Sequence, residues 1–158
     1  MIMKKIVSII CGAILMAGFV SCGSAIPEKD KNGDTPKMVV ERMYQAIQQN
    51  DFATVVGCCN VPDTVVIKNM KDANGNVRYD TIPNNVERVM EAMLVQTQQP
   101  SYRKIKSWEL EEEGDKTDPN LAKVKAKVVF EGKDGKTEMV EASFPMKRGR
   151  DNVWKING

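Results

Sequence analysis

Two spacings of apolar residues divide this chain, and they meet near Pro100. Between residues 35 and 98 apolar side chains recur mostly at three- and four-residue intervals, the period of an amphipathic helix. The first such set is Val40, Met43, Tyr44 and Ile47. It is preceded by Thr35, suited to cap free amides, and by Pro36, suited to a first helical position where a missing N–H costs nothing. Asn50-Asp51 breaks that helix, and Asp51 caps a shorter one carrying Phe52, Val55, Val56 and Cys59 on one face, with Cys58 beside it. A third helix starts at Asn84 or Asn85, runs to about Gln98 with Val86, Val89, Met90 and Met93 as its stripe, and ends before Pro100.

Beyond Pro100 the pattern alternates. Residues 102–112 place Trp108 and Leu110 on one face. Residues 121–131 point Ala122, Val124, Ala126, Val128 and Phe130 one way and Lys123, Lys125 and Lys127 the other. Residues 138–147 continue with Val140, Ala142, Phe144 and Met146 inward, and residues 153–156 close with Trp154 and Ile156. The order predicts an α+β fold: N-terminal helices packed on an antiparallel sheet of about four strands with one wet face. Outward Glu109 and Glu111 stand opposite the three lysines, a solvated ladder that favours one register. Residues 60–83 break the helical pattern. Asn74-Gly75 suits a tight turn between strand-like residues 64–67 and 77–79, which predicts a hairpin.

The first 21 residues belong to neither regime. Lys4 and Lys5 precede an apolar stretch, residues 6–20, that is too short to span a bilayer and reads as a signal peptide. Small residues then precede Cys22. Residues 22–34 are polar and broken by Pro27 and Gly33, the composition of a flexible tether. Residues 35–158 remain as one domain of about 120 residues, an ordinary size for a single core.

Charge narrows the partners. Lys4 and Lys5 leave with the leader, so the mature chain carries 21 basic and 21 acidic residues. That balance gives no footprint for nucleic acid and no polybasic cluster for a membrane surface. Of four cysteines, Cys11 lies in the leader and Cys22 at its end, leaving the neighbours Cys58 and Cys59. A disulfide scaffold is excluded, and with no histidine in the chain a zinc site lacks ligands. The two thiols are expected to be small buried side chains on a helix. Asp72, Asn74 and Asn76 open like a calcium loop, but the glycine falls early and no Glu closes it. Gly135-Lys136-Thr137 lacks the first glycine of a phosphate loop and leads into a strand, so it reads as a turn. No metal and no cofactor are expected, and no residue is singled out as catalytic.

Two resemblances add to this. Phe19-Val20-Ser21-Cys22 resembles the bacterial lipobox, with Phe19 where an aliphatic residue is usual. The resemblance implies cleavage after Ser21 and acylation of Cys22, hence a cell-envelope protein held on a membrane by lipid, the outer membrane favoured over the inner. The order of elements, with Tyr44-Gln45-Ala46-Ile47, Asn50-Asp51-Phe52 and the closing Asn152-Val153-Trp154-Lys155-Ile156, resembles small bacterial lipoproteins with a nuclear transport factor 2-like, or cystatin-like, cone. That likeness implies a curved sheet with a pocket between sheet and helices. Such folds host both enzymes and binding modules. Without a histidine to serve as general base, the first expectation is a non-catalytic, membrane-anchored binding or assembly module whose partner is an envelope protein, a peptide or a small ligand. The alternative is a hydrolase or isomerase using a pocket carboxylate, which requires an open cavity holding a buried Asp or Glu. Tyr44, Tyr79 and Tyr102 are candidate hydrogen-bond donors in such a pocket, though an amphipathic core role is the commoner one.

Overall fold

The computed structural model describes residues 25–62, 64–71, 77–83 and 85–157, with the backbone alone for 64–71 and 77–83. The leader, Cys22, the Asn74-Gly75 turn and the incomplete calcium loop lie outside the described residues, as does the side chain of Tyr79.

Helix α1, Pro36–Gln48, begins as its sequence dictates: the Thr35 hydroxyl accepts the Met38 amide at 3.4 Å, and Pro36 occupies the first turn. Its apolar stripe is buried, with Val40 and Met43 at 0 % exposure. The helix ends because Asn50 adopts φ +57, which brings the Asn50 amide to the Ile47 carbonyl and the Asp51 amide to that of Ala46. This closing pair of bonds satisfies carbonyls that the last turn leaves free. Asp51 then accepts the Thr54 amide and hydroxyl, capping α2, Phe52–Gly57, which buries Phe52 and Val55.

A backbone hairpin follows, β1, Thr64–Lys71, paired antiparallel with β2, Val77–Pro83. Asn85 accepts the Arg88 amide and starts α3, Val86–Thr97, which buries Val89 and Met93. The main sheet has the order β3, Lys104–Gly114; β4, Leu121–Glu131; β5, Thr137–Arg148; β6, Trp154–Ile156. All its neighbours are antiparallel. The fold is thus the expected α+β arrangement, helices followed by a curved four-stranded antiparallel sheet, and β4 has the expected bounds. Strand β3 starts and ends two residues later than its alternation suggests, and its register slips between Ile105 and Ser107. That slip puts Ile105 and Trp108 on one face.

Helix α1 lies across the inner face of the sheet, against β3, β4 and β6. Tyr44 meets Trp108 at 5.5 Å between ring centroids and the edge of Phe144 at 5.9 Å. Met43, Val124, Val128, Met146, Trp154 and Ile156 complete this core, each at most 1 % exposed. Gly132–Lys136 is a hairpin turn with Gly135 at φ +76, as its sequence indicates.

Two expectations need correction. Cys58 and Cys59 are buried, at 4 % and 6 % exposure, but they follow α2 and do not lie on it. The Cys58 carbonyl accepts the Ile156 amide and the Asn60 amide donates to the Ile156 carbonyl, so this segment pairs in parallel beside β6. Residues 25–34 are also not a free tether. They form a strap across the closed end of the cone, from Gly114 of β3 to Trp154 of β6. The Ala25 carbonyl accepts the Gly114 amide at 2.8 Å, and the Lys31 amide donates to Asn152. The physical reason is Asp30. Its Oδ1 accepts the amides of Asn32 and Asp34, folding the polar stretch into a turn with Gly33 at φ +83, and its Oδ2 accepts the Trp154 amide.

Candidate functional site

At the opposite end of the sheet from the strap the cone is open. The register sets Ile105 beside Phe130 and Phe130 beside Glu138, and then Trp108 beside Val128 and Val128 beside Val140. Of these inward positions Ile105, Phe130, Val128 and Val140, continued by Ala142, form one wall of a cavity of about 510 Å³. Tyr44, Ile47 and Phe52 from α1 and α2 close its inner end, and Met93 of α3 contributes from the helical side. Val140 and Ala142 are only half-buried, whereas Phe144 and Met146 on the same face of β5 are buried. The difference is that α1 covers the lower half of the sheet while the upper half faces the cavity. The volume falls within the range of small-molecule sites.

The mouth is polar. Gln96, Thr97 and Gln99 from the end of α3, Ser101 and Tyr102 from the connection to β3, and Arg103 and Glu138 across the rim all line it. Arg103 and Glu138 form an ion pair there, with side chains 51 % and 57 % exposed. Gln48 donates to the Ile105 carbonyl at 2.9 Å, tying α1 to the strand that carries this rim.

Chemically the interior offers aromatic and aliphatic surface to an apolar body, and the rim offers donors, acceptors and one charge of each sign to its polar end. Of the three candidate tyrosines, Tyr44 and Tyr102 reach the cavity. Cys58 and Cys59 do not line it. Burial pushes the Cys58 thiol up, and pushes that of Cys59 to about 12, so both are protonated at neutral pH. The buried carboxylates among the described residues, Asp30 and Asp34, belong to the strap. Burial works against the charge on Asp30, but the amides of Trp154, Asp34 and Asn32, with Arg42 nearby, outweigh it and hold the carboxyl below its usual range. Asp34 takes two bonds from Arg42, at 2.7 and 2.6 Å, and that bond raises the guanidinium's own pKa. Among the described residues no group of three or more His, Cys, Asp or Glu side chains is placed to hold a metal, and no helix is long and apolar enough to cross a membrane.

Arg103 and Glu138 were not singled out by motif. The available signal was parity: Glu138 stands in the inward phase of β5, two residues before Val140, where a solvated ladder would not place a carboxylate.

No family model and no curated protein matches this chain. Among solved structures it is similar to a Mycobacterium tuberculosis protein in complex with estradiol-17β-hemisuccinate, at 16 % identity over 78 % of this chain and 91 % of that one, with a TM-score of 0.45. A computationally designed 17-OHP binder gives 17 % identity over 78 % and 90 % of the two chains, TM-score 0.45. A protein described as a calcium/calmodulin-dependent protein kinase II association domain, from Xanthomonas campestris, gives 14 % identity over 87 % and 94 %, TM-score 0.40. At these values the likeness extends to no residue of the site.

Proposed function

We propose that this protein is a non-catalytic binding module that takes a small, largely apolar ligand into the open end of the cone, and that it does so as a lipid-anchored protein of the bacterial cell envelope. The observation that carries the binding reading is the cavity: about 510 Å³, walled by Ile47, Phe52, Ile105, Val128, Phe130 and Val140, with its polar groups gathered at the mouth. An apolar wall left open to water is unfavourable by roughly 25 cal/mol per Å² of apolar surface, and a ligand that covers it recovers that free energy. The hydrolase or isomerase alternative calls for a carboxylate shielded from water inside the cavity. Glu138, the carboxylate that lines it among the described residues, is more than half exposed and engaged with Arg103.

The anchoring reading rests on the sequence alone, on a leader ending in Val20-Ser21-Cys22. Each buried methylene of an attached chain contributes about 0.8 kcal/mol, and two or three chains on one cysteine hold a protein on a bilayer durably. Two residues, Gly23 and Ser24, separate Cys22 from the Ala25 bridge to the sheet. Three peptide units span at most about 11 Å, so an acylated Cys22 keeps the closed end of the cone near the membrane.

The test is to purify the protein from envelope membranes and weigh it twice. Denaturing mass spectrometry should show a mature N-terminus at Cys22 carrying acyl chains. Native mass spectrometry should show an additional small apolar species that leaves when Val140→Phe fills the cavity. An unmodified Cys22 thiol ends the anchoring reading, and a ligand-free protein whose mass is the same in the variant counts against the binding one.

A further inference from the structure

We infer that the cavity's occupant carries an anionic group at the end facing the mouth, and that Arg103 recognises it. This rests on the binding reading above and specifies the ligand class: an amphiphile with an apolar body and a carboxylate, sulfonate or phosphate head. Among the described residues the interior presents no charged side chain to the cavity, so a charged group on the ligand has to sit at the rim, where Arg103 and Glu138 are the described charged residues lining the opening. Their ion pair spans the mouth with both side chains more than half exposed, the setting in which a pair is only weakly held. A ligand head can therefore exchange places with Glu138, whose carboxylate swings into water at little cost.

The sign of the head follows from what surrounds it. The strand ends and turn around the rim, residues 103–106 and 131–138, carry five basic and three acidic side chains, of which Arg103 and Glu138 line the opening itself. The facing segment, residues 94–101, carries no charged side chain. The carbonyls at the C-terminus of α3 add about half a negative charge, less than the two net positive charges opposite. An anion entering the mouth is thus drawn in, and it meets in Arg103 a planar fork able to hold two of its oxygens. A cation would have to take Glu138 from Arg103 and remain beside the guanidinium it displaced.

Two fluorescent naphthalenes sharing one ring system separate this inference from the reading beneath it: N-phenyl-1-naphthylamine, which is neutral, and 8-anilinonaphthalene-1-sulfonate, which adds a sulfonate. Titrated into the purified mature protein at low salt, the sulfonate should bind on the order of tenfold more tightly, and the preference should fade as ionic strength rises. In Arg103→Met the ratio of the two affinities should fall to within about twofold, and in Glu138→Gln the preference should grow because the competing carboxylate is gone. Val140→Phe should weaken both probes, which places them in the cavity. Binding of the neutral probe with no preference for the sulfonate, or a preference that survives Arg103→Met, overturns the inference and leaves the cavity reading standing. Failure of both probes to bind removes the reading itself, and this inference with it.

Discussion

The Asp30 carboxylate accepts the backbone amide of Trp154 at 3.1 Å, and the Trp154 indole N–H in turn donates to the Glu28 carbonyl at 2.9 Å. Two residues 124 positions apart thus close the end of the cone together. Arg148 stacks over the same indole with its Cζ 5.4 Å from the ring centroid and reaches Glu28 at 3.2 Å, so the strap is held by charge as well as by backbone bonds.

Removing the Asp30 carboxylate strands three backbone amides, those of Asn32, Asp34 and Trp154. Asp30→Ala should cost about 2–4 kcal/mol of stability, read as a shift in urea midpoint. The carboxyl is held below its ordinary 3.8 in the folded state, so its contribution is complete above that pH and disappears as pH falls through the folded value. Asp30→Asn should therefore be destabilised at pH 6 while losing less than the parent between pH 4 and pH 2. Equal acid sensitivity of the two proteins would contradict this.

Gly114 allows the strap to approach. A Cβ there would stand 2.9 Å from the Ala25 carbonyl oxygen, closer than such atoms come. Gly114→Ala should cost roughly 1–3 kcal/mol and expose residues 25–34 to proteolysis. In a chain shortened to begin at Pro27 the same substitution should be nearly neutral. A penalty that persists there would show that the strain lies elsewhere in β3.

The two buried thiols give a prediction at the other end of the pH scale. Cys59 is raised from 9.0 to about 12 by burial, so its contribution to stability is complete below pH 9 and is lost as pH rises toward 12. Stability of Cys59→Ala should fall less steeply than that of the parent between pH 9 and 11, by on the order of 2 kcal/mol, in parallel urea titrations. At neutral pH iodoacetamide should label Cys58 and Cys59 only as fast as the protein opens.

Some of this was legible in the chain and some was not. The alternation of residues 121–131, with lysines on one side and Ala, Val and Phe on the other, specifies β4 because one face is wet and the other is not. The caps at Thr35 and Asp51 were equally direct, since each acts within three residues of itself. The strap was illegible because its composition is that of a linker. What orders it is Trp154, and no local pattern connects Asp30 to a residue 124 positions away. The cavity was hidden for a different reason. Val140 and Phe144 look alike as inward residues of one strand, and only the extent of α1 across the sheet decides which is covered and which faces open space.

An acylated Cys22 has a consequence separate from the cavity. Cys22→Ser should move the protein from the membrane pellet to the soluble fraction. Retention of the variant in the pellet would mean that something other than lipid holds it there.

The central claim is that the open end of the cone is a binding site for an apolar ligand. The most direct measurement is a fluorescence titration of N-phenyl-1-naphthylamine into the purified protein and into Val140→Phe, with both shown by circular dichroism to be folded. The account predicts saturable one-to-one binding to the parent and a loss of at least tenfold in affinity in the variant, the equivalent of about 1.4 kcal/mol. Equal binding to both proteins, or none to the parent, would contradict it.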